Sequence, residues 1–177
     1  MIRPTNAAEG ERRSPPALRA ILVLALGLAP FFLLRVNLTR SLPRGVYLLL
    51  PWSRPHEGQL VTFCPPSWLG PVLLRHHLST LGPCPSGTLP FAKRLAAIGP
   101  YACASSSGLI LNRDIYPWPA LPPYLALPLY ARCGPTAPSC AFVLGEGDSI
   151  DSRIFGCVPL PTLESPLIPL LTERNRG

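Results

Sequence analysis

Twenty-five prolines in a chain of 177 residues limit the fold more than any other feature. Proline holds φ near about −65°, has no backbone donor and breaks helix interiors and central strands. A chain punctuated this often is expected to form short strands, turns and extended loops, with helix only where prolines are sparse. Apolar residues make up 47% and charged residues 14%, with a mean hydropathy of +0.28. That composition excludes a disordered chain, and the low charge is unlike that of an ordinary cytosolic enzyme. The length suits one small domain with a real core and a short extra segment.

Residues 18–36, "LRAILVLALGLAPFFLLRV", carry the longest apolar run. Its uncharged core, Ala20 to Leu34, is slightly short of a bilayer span, and Arg19 and Arg35 can extend it by snorkelling. Arg3, Arg12, Arg13 and Arg19 precede it and favour an N-terminus left in the cytoplasm. A cleaved signal peptide shares the basic start and apolar middle, but Phe31, Phe32 and Leu33 stand where a small-x-small cleavage site belongs. A buried core helix is the other alternative. The segment reads as a retained transmembrane helix, so the expected layout is a cytoplasmic tail (1–17), an anchor (18–36) and an extracytoplasmic domain (37–177).

Six cysteines, Cys64, Cys84, Cys103, Cys133, Cys140 and Cys157, all follow the apolar run. An even count in an exported domain points to disulfides. Cys64 with Cys84, and Cys133 with Cys140 across a Gly-Pro loop, are candidate pairs. No C-x-x-C occurs, and His56, His76 and His77 show no ligand spacing with carboxylates, so neither a metal site nor a cofactor is expected. The net charge of +7 comes from scattered arginines without interleaved aromatics. That argues against nucleic acid and suits anionic lipid headgroups.

"VYLLLP" (46–51) and "GQLVTFCP" (58–65) read as a hairpin, and residues 64–90 as a long loop. "LPFAKRLAAIG" (89–99), "GLILNRD" (108–114) and "CAFVL" (140–144) read as further strands. Residues 116–139 read as an irregular proline-rich insertion. "GEGD" (145–148) lacks the context of a phosphate loop and reads as a turn. The C-terminal stretch reads as extended.

Two residues stand out chemically. In "RVNLTRSLPRGVY" (35–47), Ser41 precedes a bend made rigid by Pro43 and Gly45. Taken alone, it is an ordinary turn serine. Lys93 is the only lysine. Read as a strand, its segment puts Leu89, Phe91, Lys93 and Leu95 on one face and Arg94 on the other. A lysine on an apolar face loses proton affinity and can accept the proton of a serine hydroxyl. Alternatively, it snorkels from a strand edge.

"NLTRSLPRGVY", "LPFAKRLAAIG" and "SIDSRIFG" resemble, in order and approximate spacing, the boxes of type I (leader) signal peptidases, which are membrane-anchored serine proteases. The first box, with Asn37 and Ser-x-Pro-x-Gly-x-Tyr, and "GPCPSG" before the lysine box resemble the conjugative-transfer (TraF-like) subfamily. The resemblance implies a small β-barrel or coiled-sheet catalytic domain in which Ser41 is the nucleophile and Lys93 the general base. Thr39 and the Ser41 N–H would form the oxyanion hole, Ser149 would orient the lysine, and Asp151 and Arg153 would support the site. It departs from the family at Gly99-Pro100, where Gly-Asp is usual, at Ile154 in place of a tyrosine, and at Leu42 in place of a methionine. The implied setting is the bacterial inner membrane, with the catalytic domain in the periplasm. The implied partners are a precursor substrate (conjugative pilin or secreted preprotein), the lipid membrane and components of a conjugation or type IV secretion apparatus. The rival readings are a general leader peptidase, a non-catalytic component of a pilus or secretion apparatus, and a self-cleaving Ser/Lys repressor relative, which the anchor and the cysteines disfavour.

Overall fold

The computed structural model describes residues 15–39, 41–125 and 127–173. Arg3, Arg12, Arg13 and most of the expected 1–17 tail lie outside them. The chain divides into two units at Leu33. The first holds helix α1 (Pro16–Leu33), with Ile21, Val23, Leu24 and Phe32 exposed. No helix among the described residues is long and apolar enough to cross a membrane. The helix expected over 18–36 ends at Leu33, because residues Leu34–Asn37 form strand β1. Main-chain pairing accounts for the change: Arg35 lies opposite Tyr47 and Val36 opposite Val46 in β2 (Gly45–Leu49).

The second unit is mostly β. Besides β1 and β2, its larger sheet contains β3 (Leu60–Phe63), β4 (Phe91–Ile98), β9 (Cys140–Leu144), β10 (Val158–Pro159) and β11 (Leu163–Thr172). Their order is β1-β2-β11-β3-β4-β9-β10, antiparallel throughout. The sheet is curled but open, with β1 and β10 at its edges, so it is a coiled sheet and not a closed barrel. A four-stranded sheet, in the order β7-β6-β5-β8, is built from β5 (Tyr101–Ala104), β6 (Gly108–Leu111), β7 (Asp114–Pro117) and β8 (Cys133–Pro135).

β2 and β3 do not form the expected hairpin. Each pairs with β11, which lies between them. The C-terminal segment can do this despite its prolines because its register shifts between Leu163 and Pro166 and again between Pro169 and Leu171. Such irregularities are where a strand tolerates residues without an N–H. The 64–90 stretch is more ordered than a loop, with a 3-10 turn at Ser67–Leu69 and helix α2 (Gly70–Arg75). Asn112 takes φ of 55° in the turn between β6 and β7.

Three disulfides are formed. Cys64–Cys84 is as expected. The Cys133–Cys140 pair is not formed: Cys133 joins Cys103, its direct partner across β5 and β8, and Cys140 joins Cys157. The reason is topological, since Cys133 and Cys140 belong to strands of different sheets.

Alternation along β4 sorts its side chains. Lys93, Leu95 and Ala97 are buried, whereas Arg94 is exposed and donates to Gly58 O at 2.7 Å. Val61, Phe63, Leu95, Val143 and Val158 form one core cluster. A second cluster joins Ala97 and Phe142 to Leu109 and Leu111 of the smaller sheet. A third gathers Leu42, Tyr47, Leu60 and Leu167.

Candidate active site

The serine turn is held from several sides. Leu42, next to Ser41, is 2% exposed in the third cluster. Buried Tyr47 donates its hydroxyl back to Pro43 O. Gly45 has φ of 153°, and a Cβ there would lie 2.0 Å from Leu171 O, so β11 can pass only over glycine. Ser41 itself is half-buried, and its carbonyl accepts the Glu146 N–H at 2.9 Å. That bond ties the turn to residues 145–149. The Ser41 and Thr39 hydroxyls are 3.0 Å apart.

Lys93 lies opposite fully buried Val61 and is 4% exposed. Its Nζ donates to Ser149 Oγ at 2.5 Å and lies 5.7 Å from the Phe91 ring centroid. Burial lowers its pKa from 10.5 to about 8; the Asp151 carboxylate opposes the shift and the Arg153 guanidinium adds to it. About a tenth of this amine is therefore unprotonated at pH 7, against less than about a thousandth of an exposed lysine.

The loop after β9 brings the two halves together. A Cβ on Gly145 would lie 2.3 Å from Ser149 Oγ and 3.0 Å from Lys93 Nζ. Gly145 thus borders the lysine, and the next residue, Glu146, holds the serine backbone. Sequence reasoning took "GEGD" for no more than a turn; the signal it passed over was a glycine at the end of a strand, shortly before the polar motif.

Asp151 is fully buried and caps helix α3 (Ser152–Phe155), accepting from Arg153 N at 3.0 Å. The Arg153 side chain meets both of its carboxylate oxygens, Nε at 2.9 Å and Nη2 at 2.7 Å. Asp151 also accepts Gly145 N–H at 2.9 Å, while Arg153 donates to Gly147 O and to Pro117 O, each at 2.8 Å. The pair therefore connects the 145–149 loop, α3 and the end of β7. Charges this well supplied with partners can be buried, but losing one strands the other.

The structure thus places Ser41 with Thr39, and Lys93 with Ser149, Asp151 and Arg153 around one loop. No cluster of three metal-ligating side chains occurs among the described residues. Chemically, the arrangement offers a hydroxyl held on a rigid turn and a desolvated amine held by a second hydroxyl.

No family model matches the chain, and no curated protein matches it. Among solved structures it is similar to a signal peptidase I from Enterococcus faecalis, with 22% identity over 66% of this chain and 98% of that one, at a TM-score of 0.36.

Proposed function

We propose that the chain is a serine endopeptidase that uses Ser41 as nucleophile and Lys93 as general base. The observation that carries this reading is the only lysine of the chain, buried on an apolar strand face with its pKa lowered to about 8 and its amine held by Ser149. A serine hydroxyl is a weak nucleophile until a base takes its proton, and a neutral amine can do so. Ser41 Oγ would attack the scissile carbonyl carbon while its proton passes to Lys93 Nζ. The Ser41 N–H and Thr39 would receive the developing oxyanion. The lysine would then return the proton to the departing amine, leaving an acyl ester on Ser41. Water, deprotonated by the same lysine, would release the second product and restore both residues.

The order of the three boxes supports a substrate of the exported-precursor kind, cleaved at the membrane surface. The first box supports the finer reading of a conjugative pilin. The apolar N-terminal helix and the basic residues before it support anchoring in a bacterial inner membrane with the catalytic domain in the periplasm. The test is cleavage of a precursor in membranes carrying the chain. Ser41→Ala and Lys93→Ala should each abolish it while melting as folded proteins. Full activity of either variant contradicts the reading.

A further inference from the structure

The hydrogen bonds around Ser41 contain one residue that the proposed mechanism does not use. Asn37, the last residue of β1, reaches across the serine turn. Its Nδ2 lies 3.2 Å from Thr39 O, 3.1 Å from Leu42 O and 3.2 Å from Pro43 O. Its Oδ1 accepts the Thr39 N–H at 3.2 Å and the Thr39 hydroxyl at 2.7 Å. These partners fix which end of the amide is which, because carbonyl oxygens only accept and a backbone N–H only donates. The hydroxyl protons can then be counted. Thr39 has one, given to Asn37, so across the 3.0 Å contact with Ser41 it can only accept. Ser41 is therefore the donor. The resting site consists of two separate strings: Ser41 to Thr39 to Asn37, and Lys93 to Ser149.

We propose that Asn37 is a positioning residue acting through Thr39: its side-chain oxygen holds the Thr39 hydroxyl where it receives the Ser41 proton at rest, and its amide nitrogen, anchored on the Thr39, Leu42 and Pro43 carbonyls, keeps that oxygen in place. Catalysis then begins with Ser41 leaving Thr39 for Lys93. A Thr39 hydroxyl already held at the right distance can turn its proton from Asn37 towards the oxyanion without moving its oxygen. The inference rests on the proposed Ser41–Lys93 chemistry. The side-chain hydrogen bonds of Asn37 go to Thr39, Leu42 and Pro43, and none goes to Ser41 or Lys93.

The test is a double-mutant cycle on kcat and KM for cleavage of a precursor peptide, with Asn37→Ala, Thr39→Val and both together. Asn37→Ala should lower kcat about tenfold with KM within about twofold. Thr39→Val should lower kcat by about a hundredfold, the range of one lost oxyanion donor. In the Thr39→Val background, Asn37→Ala should cost less than about twofold further, because residues acting as one unit are not additive. A full tenfold loss in both backgrounds, or a change in KM alone, overturns the proposal. If Asn37→Ala melts below the assay temperature, Thr39→Ser against Thr39→Val decides: serine should restore most of kcat, and equal losses in the two overturn the proposal. Wild-type protein that cleaves nothing, or Ser41→Ala protein that still cleaves, removes the underlying dyad and this inference with it. Normal dependence on Ser41 with additive Asn37 and Thr39 effects removes this inference alone.

Discussion

Lys93 shows how a single side chain can set stability and chemistry against each other. Its folded pKa, about 8, lies below its unfolded value of 10.5. Between those values the unfolded chain holds a proton that the folded chain does not, so stability rises with pH across this window. Below about pH 8 both states are protonated and the cost of burying the ammonium is felt in full. Lys93→Met should therefore stabilise the protein at pH 7 by up to about 3 kcal/mol, and the advantage should disappear above about pH 10.5. Denaturant melts of both proteins at pH 7 and at the alkaline end of the window check the sign. A variant less stable than wild type at pH 7 contradicts the desolvated amine. Alternation around Lys93 made its burial legible in the sequence. The roles of Gly145 and Asn37 were not legible, because each depends on contacts with other segments.

At the scale of elements, the 145–153 segment is the joint on which the site depends. Gly145→Ala should displace Ser149 and the lysine amine, since its Cβ has no room beside either. Activity should fall by at least tenfold with a small change in melting temperature; unchanged kcat would mean that the amine's position is unimportant. Asp151→Ala leaves Arg153 buried without its carboxylate, at a cost of about 3 to 5 kcal/mol in a thermal or denaturant melt. A cost near zero would show the pair to be solvated. The strands β4, β6 and β9 were legible from short β-prone runs between turns. The hairpin was not: its two strands are short and adjacent, yet the larger partner for both is the proline-interrupted segment that arrives a hundred residues later. The disulfides divide in the same way. Cys64–Cys84 closes a local loop, whereas Cys103–Cys133 joins direct partners across β5 and β8 and Cys140–Cys157 ties β9 to the residue before β10, neighbours that spacing does not reveal. A peptide map without reduction should show these three links, and a Cys133–Cys140 peptide would contradict the topology.

For the whole molecule, the mostly β class follows from proline density and short apolar runs, and the described structure has that class. The functional account makes its own whole-molecule demand, since a peptidase acting on exported precursors must keep residues 37–177 outside the cytoplasm. Alkaline phosphatase fused after Gly177 should be active in cells, and an inactive fusion beside a working cytoplasmic reporter would contradict the orientation. The central claim is that a neutral Lys93 takes the Ser41 proton, and the pH dependence of kcat/KM tests it most directly. The account predicts an acid limb near the lysine's own value of about 8. Asp151→Asn should move that limb to lower pH, because the Asp151 charge holds the lysine pKa up. Lys93→Arg should show no cleavage at any pH, since a guanidinium stays protonated. Cleavage by Lys93→Arg protein with the wild-type acid limb would contradict the claim.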